Sequence, residues 1–167
     1  MELAEEITIA APLEKVYEGL NDIAILKACI PGCEELDWTS ENEMEAKVTL
    51  KIGPVKAKFG GKVTLDTTNA PTGFSLAGAG DGGLAGFAKG GADVELIGDG
   101  DSTLLKYVAK AEPGGKIAQL GGRLITSTAR KLSKMFFIKF EKIMSGEESL
   151  PEEDDAGETA PSDPVSA

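Results

Sequence analysis

The chain has 167 residues, a net charge of −11 and no histidine. One domain plus a tail is the natural reading of that length, and the acidity sets nonspecific nucleic-acid binding aside. Two cysteines, an acidic start (MELAEEITI) and the lack of a long uncharged apolar stretch predict a reducing, cytoplasmic setting with no signal peptide and no membrane-spanning helix.

Glu2 to Ile9 alternates as a first strand. Ala11-Pro12-Leu13-Glu14 opens a short helix with Pro12 near its first turn, and Asn21-Asp22 closes it and caps a second, Ile23 to Cys29. From there the hydrophobic period is two. Leu36 and Trp38 share one side of a strand. Met44, Ala46, Val48, Leu50 and Ile52 alternate with Glu45, Lys47, Thr49 and Lys51 in the next. After Gly53-Pro54 a strand runs from Val55 to Leu65, and Gly60-Gly61 predicts a bend or bulge within it. A strand through Phe74 and Leu76, a glycine-rich turn from Gly78 to Gly83, a strand marked by Ala92, Val94 and Leu96, and a last strand from Thr103 to Ala111 follow. Pro113 to Met144 then predicts one helix of about eight turns. Its apolar stripe is Ile117, Leu120, Gly121, Leu124, Thr128, Leu132, Met135 and Ile143.

Strand, two short helices, six strands and a long helix give an α+β domain: a curved antiparallel meander wrapped around the C-terminal helix. The domain is expected over residues 1–145. Residues 146–167, with eight acids and no base, are expected to be a disordered tail dispensable for folding. Gly114 to Ser145 is the basic part of an otherwise acidic chain, with seven Lys or Arg and one Glu.

A long helix laid in a curled sheet leaves a space suited to a small apolar molecule. Its expected walls are Leu120, Leu124, Thr128 and Met135 on the helix, facing Trp38, Met44, Val48, Phe59 and Phe87 on the sheet. Asp22, Glu34 and Glu35 are expected near its mouth. Arg130, Lys131 and Lys134, next to Phe137, predict a contact with anionic lipid or an acidic partner.

Other motifs weaken on inspection. Gly78-Ala79-Gly80-Asp81-Gly82-Gly83 matches G-x-G-x-x-G, but a strand pattern follows where a dinucleotide site needs a helix. Cys29 and Cys33 lack the further soft ligands that zinc requires, so no metal site is expected and two small apolar residues are the default. Without histidine the commonest general base near neutral pH is absent, and no catalytic set is assigned.

Several segments, taken together and in order, resemble the CoxG family of carbon monoxide dehydrogenase subunits. They are APLEKVY at 11–17, Leu20-Asn21-Asp22, Leu26-Lys27, Cys29-Ile30-Pro31-Gly32-Cys33, Ile52-Gly53-Pro54-Val55, Phe59-Gly60-Gly61, Gly86-Phe87-Ala88-Lys89-Gly90 and GKIAQLGGRL at 115–124. The resemblance runs from about Glu2 to Phe140. It implies the helix-grip fold of START and birch-pollen-allergen-like domains, with an apolar cavity. It also implies a non-enzymatic accessory role, recruiting a carbon monoxide dehydrogenase-type molybdenum hydroxylase to the inner face of the cytoplasmic membrane. The expected ligand is quinone- or lipid-like, with no covalent cofactor. Two alternatives stay open: an enzyme of the same fold using cavity carboxylates on a polyketide-like or aromatic substrate, and an interaction protein with a filled core.

Overall fold

A computed structural model describes residues 1–150. The expected acidic tail falls largely on 151–167, outside the described residues.

Strand β1 (Glu2–Ile9) leads into helices α1 (Leu13–Leu20) and α2 (Ile23–Cys29), then strands β2 (Cys33–Ser40), β3 (Glu43–Ile52), β4 (Val55–Asp66), β5 (Gly73–Asp81), β6 (Phe87–Asp99) and β7 (Ser102–Gly114). Helix α3 (Gly122–Met144) closes the domain. Asp22 caps α2 through its carboxylate, which accepts the Ala24 and Ile25 N–H groups at 2.9 and 3.3 Å. The seven strands form one antiparallel sheet in the order β1-β7-β6-β5-β4-β3-β2. This is the curved sheet and long C-terminal helix of the helix-grip fold.

Three details depart from the sequence expectation. The long helix does not begin at Pro113: Pro113 and Gly114 finish β7, and Gly115–Leu120 is a 3-10 segment. Gly121, at φ 94°, then breaks the chain before α3 starts. A positive φ suits glycine and ends helical propagation. The apolar stripe drawn through Ile117 to Met135 therefore crosses a break, and α3 sets its own phase. Gly60-Gly61 makes no bulge, because β3 and β4 pair without interruption from Ile52–Val55 to Glu43–Thr64; the irregular pairings lie in β2. Finally, Gly78 to Asp81 extends β5, and the turn after it is Gly82 to Gly86 around a 3-10 segment, Gly83–Ala85.

The main core gathers around the C-terminal half of α3. Phe140 is fully buried among residues of α1, α2, β1 and β7, with Phe136, Phe137, Ile143 and Met144 packed beside it. Phe136 stacks on Phe140 with ring centroids 5.9 Å apart, and Phe137 meets Phe136 edge-on at 4.9 Å. A smaller cluster sits at the other end of the helix. It is made of Ile52, Ala85 and Ile117, with Val55, Ala57, Phe59, Ala88, Leu120 and Leu124 against it.

The middle of the sheet's concave face is paved with glycine and alanine. Strand register places Gly61, Gly78, Gly80, Ala88, Gly90, Ala92, Ala109 and Ala111 on that face. Some of these glycines are structural requirements. A Cβ on Gly90 would sit 2.1 Å from the Lys110 carbonyl oxygen, and one on Gly61 would sit 2.2 Å from that of Ala79. The neighbouring backbone occupies the place of a side chain there, which lets the strands curl steeply. Gly80 differs, since its nearest neighbour to a built Cβ is 3.7 Å away. Gly90→Ala should therefore cost about 1–3 kcal/mol through overpacking. Gly80→Ala should be neutral or gain up to about 1 kcal/mol by restricting the unfolded chain. Urea denaturation of the two variants checks the contrast.

Candidate functional site

Between the main core and the small cluster, the helix and sheet do not meet. A cavity of about 550 Å³ lies there, within the usual range for small-molecule sites. Ile125, Thr128, Ala129 and Leu132 of α3 form its roof. Its floor is the glycine and alanine pavement, and Val48, Leu50, Ile52, Phe59, Val63 and Ile117 stand around it. Ile125, Thr128, Ala129 and Leu132 recur at helical spacing, as do Phe136, Phe140 and Ile143 further on, so one face of α3 serves the cavity first and the core afterwards.

The lining is apolar apart from the Thr128 hydroxyl. Lys62, Lys89 and Lys110 border the space where the sheet is thin, but alternation puts their side chains on the outer face, and all three are exposed. Among the described residues the lining includes no carboxylate, cysteine or tyrosine.

Of the nine expected wall residues, the structure brings three to the cavity: Val48, Phe59 and Thr128. Met44 is buried in the main core, and Leu120 and Leu124 pack with the small cluster, where Leu124 sits beside Gly53. The remaining three are corrections. Trp38 lies at the end of an edge strand and is 38% exposed. Phe87 is 53% exposed and lies on the outer face by its pairing with Asp81 and Gly114. Met135 is 46% exposed because the phase of α3 turns it away from the sheet.

The acids expected at the mouth have other duties. Asp22 caps α2. Glu34 accepts from Thr49 and pairs with Lys58 at 2.9 Å on the outer face; these partners hold its carboxyl below the usual range. Glu35 lies 3.8 Å from Lys47.

On α3, Arg130, Lys131 and Lys134 are exposed as expected. Phe137 is not available beside them: it is half-buried and stacks on Tyr107 at 5.6 Å. Arg130 and Lys134 share a groove with Glu5, Glu6 and Glu141, so that face is of mixed sign. Lys139 pairs with Glu148, just past the helix end.

Near that groove lies a buried polar cluster that sequence reading missed. The Tyr107 hydroxyl donates to Glu5 Oε1 at 2.5 Å and is also hydrogen-bonded to Ser133. Pairing of Glu5 with Tyr107 follows from the β1–β7 register. Burial, then the adjacent Glu5 carboxylate, push the phenol up to about 12. A pKa raised on folding contributes stability that is present below the ordinary tyrosine value near 10 and lost as pH rises through the folded value. Stability should accordingly fall between about pH 10 and pH 12, and less steeply in Tyr107→Phe. Urea melts across that range, with tyrosinate absorbance read in parallel, check it.

Cys29 and Cys33 are free thiols. Burial pushes Cys29 up to about 11 and Cys33 upward, which keeps both protonated and unreactive near neutral pH. Among the described residues no group of three or more Cys, Asp or Glu is placed to hold a metal, and no helix is long and apolar enough to cross a membrane. The G-x-G-x-x-G run enters a strand and a 3-10 turn, not the helix N-terminus that a pyrophosphate needs.

The cavity and its helix roof have counterparts among known proteins. The chain is similar over 87% of its length to a conserved protein from Geobacillus kaustophilus, with 29% identity, 96% of that chain covered and a TM-score of 0.82. A START superfamily protein from Mycobacterium smegmatis matches 88% of the chain and 99% of its own, at 15% identity and a TM-score of 0.67. The Zhui aromatase/cyclase from Streptomyces sp. R1128 matches 87% and 93%, at 13% identity and a TM-score of 0.64. At these lower identities the likeness shows the fold alone. No curated protein sequence matches significantly. The sequence model for the carbon monoxide dehydrogenase subunit CoxG matches residues 6–145, a span that takes in the sheet, the cavity and the whole of α3, and the chain belongs to that family.

Proposed function

We propose that the domain is a non-catalytic carrier for an apolar small molecule, quinone- or lipid-like, which it holds without a covalent cofactor between α3 and the sheet. In this reading it serves a carbon monoxide dehydrogenase-type molybdenum hydroxylase at the inner face of the cytoplasmic membrane. The observation that carries the reading is the cavity itself. About 550 Å³ of space is lined by apolar side chains and small residues, with one hydroxyl, on Thr128, to meet a polar group of the ligand. Removing apolar surface from water supplies affinity without directional chemistry, and a single hydroxyl can orient a carbonyl.

The family name supplies the partner class. The enzyme alternative would require a proton donor or acceptor on the wall. Glu34 and Glu35 are paired with lysines, Tyr107 with Glu5 and Ser133, and Cys29 is held protonated in the main core.

Native mass spectrometry of the protein purified from its own host should show an apolar adduct that solvent extraction removes. Decylubiquinone should then refill the extracted protein with one molecule per chain. An adduct-free protein that also fails to take up decylubiquinone would leave the cavity without this role. Turnover of the added quinone would overturn the non-catalytic part.

A further inference from the structure

We propose that the end of the domain around Leu84 docks on an anionic lipid surface; what it would deliver or collect there rests on the carrier reading, but the contact itself does not. Leu84 is 98% exposed at the tip of the β5–β6 loop. The loop is held in place beneath it. Asp81 Oδ1 accepts the Gly83 N–H at 2.7 Å, and Ala85 is buried in the small cluster with Ile52 and Ile117. A large apolar side chain is thus presented outward on a fixed support.

Charge is distributed about this loop in a way the rest of the chain is not. The ends of β3 to β7 that gather here, with the 3-10 segment and the start of α3, cover residues 49–60, 79–90 and 111–123. They hold Lys51, Lys56, Lys58, Lys89, Lys116 and Arg123 against Asp81 and Glu112. Lys58 and Lys89 have carboxylate partners, Glu34 and Glu112. Lys51, Lys56, Lys116 and Arg123 are exposed and form no ion pair among the described residues. The three hairpin turns at the opposite end, between β2 and β3, β4 and β5, and β6 and β7, carry Glu41, Glu43, Asp66, Asp99 and Asp101 and no basic residue.

The charge asymmetry lies along the strands, so a negative surface would attract one end and repel the other. An anionic bilayer fits it, because Leu84 can enter the acyl boundary while the lysines stay at headgroup level. The basic face of α3 is a poorer candidate, since Arg130 and Lys134 lie beside Glu5, Glu6 and Glu141. The docking end is also continuous with the cavity: Ile52, Phe59 and Ile117 belong both to the cluster under the loop and to the cavity wall.

Each basic residue near such a surface strengthens binding roughly fivefold, and the effect fades with salt. The acidity of the whole chain opposes it, so binding is weak at physiological ionic strength. Co-sedimentation at low salt with vesicles of equal phosphatidylglycerol and phosphatidylcholine tests the proposal, with pure phosphatidylcholine as the neutral control. The protein should sediment with the anionic vesicles only. Leu84→Asp and the pair Lys56→Glu/Lys116→Glu should each lower binding at least about tenfold, while Arg130→Glu/Lys134→Glu changes it less than about twofold. All these side chains are exposed, and thermal melts should confirm intact folds. Decylubiquinone uptake should survive in every variant, which separates failure of the lipid contact from failure of the carrier reading. Unchanged binding in Leu84→Asp, or loss in the α3 pair alone, would overturn the proposal. So would absence of binding by the parent protein, leaving this end to an acidic protein surface instead.

Discussion

Replacing Ala92 by phenylalanine should lower decylubiquinone affinity by at least about tenfold while leaving the fold in place. Ala92 lies on β6 in the middle of the pavement, paired with Leu76 on one side and Ala109 on the other. It lines the cavity whose roof is Thr128, Ala129 and Leu132. The added ring would enter open space between apolar walls, so it displaces ligand without displacing protein. The overpacking cost usual in a filled core, about 1–3 kcal/mol, should be largely avoided, and burial of the ring against Leu132 works in the other direction. Isothermal titration with decylubiquinone, alongside urea denaturation, reads both effects. Undiminished affinity would mean that the ligand sits elsewhere. A collapse in stability would mean that the space is taken up by breathing of the helix.

The largest loss of stability is expected from Phe140→Ala, at about 3–5 kcal/mol. Phe140 is wholly removed from solvent, stacks on Phe136 and meets Phe137 edge-on with centroids 6.4 Å apart. Truncation removes the apolar transfer term and two aromatic contacts, and leaves a void that surrounding α1, α2 and β1 can close only in part. Against a typical total of 5–15 kcal/mol, that is enough to populate the unfolded state under mild denaturant. Met135→Ala, on the solvent side of the same helix, should cost only a few tenths of a kcal/mol. A chemical denaturation series measures the difference; similar losses at both positions would show that the assigned face of α3 is wrong.

The strands, the two short helices and the fold class were legible because they rest on alternation and punctuation, which are local. Met44 to Ile52 could be read from its period alone, and Asp22 as a cap from its position before Ile23. The cavity was harder for a physical reason. Large apolar residues are the natural candidates to line such a space, and they point to Trp38, Phe87 and Met135. A cavity is made by what is missing. Its signal was the row of glycines and alanines at alternate positions in β4 to β7, visible in the sequence but equally readable as turns and bends. The phase of α3 could not be carried back through Gly121, because the positive φ there depends on how the 3-10 segment packs under the β5–β6 loop. Phe137 was misplaced for the same reason, since its partner Tyr107 is fixed by tertiary contact.

Helix α3 is one element resting on two foundations. From Phe136 to Met144 it is anchored in the main core, whereas from Ile125 to Leu132 it spans a void, with Leu124 as its tie to the small cluster. The first half has few apolar partners to lose on opening, and Gly121 ahead of it can act as a pivot. Local opening of that half therefore requires much less free energy than unfolding of the domain. The roof can lift while Phe140 keeps the other end seated, so the route by which a guest enters is set by uneven stability along a single helix and needs no separate lid.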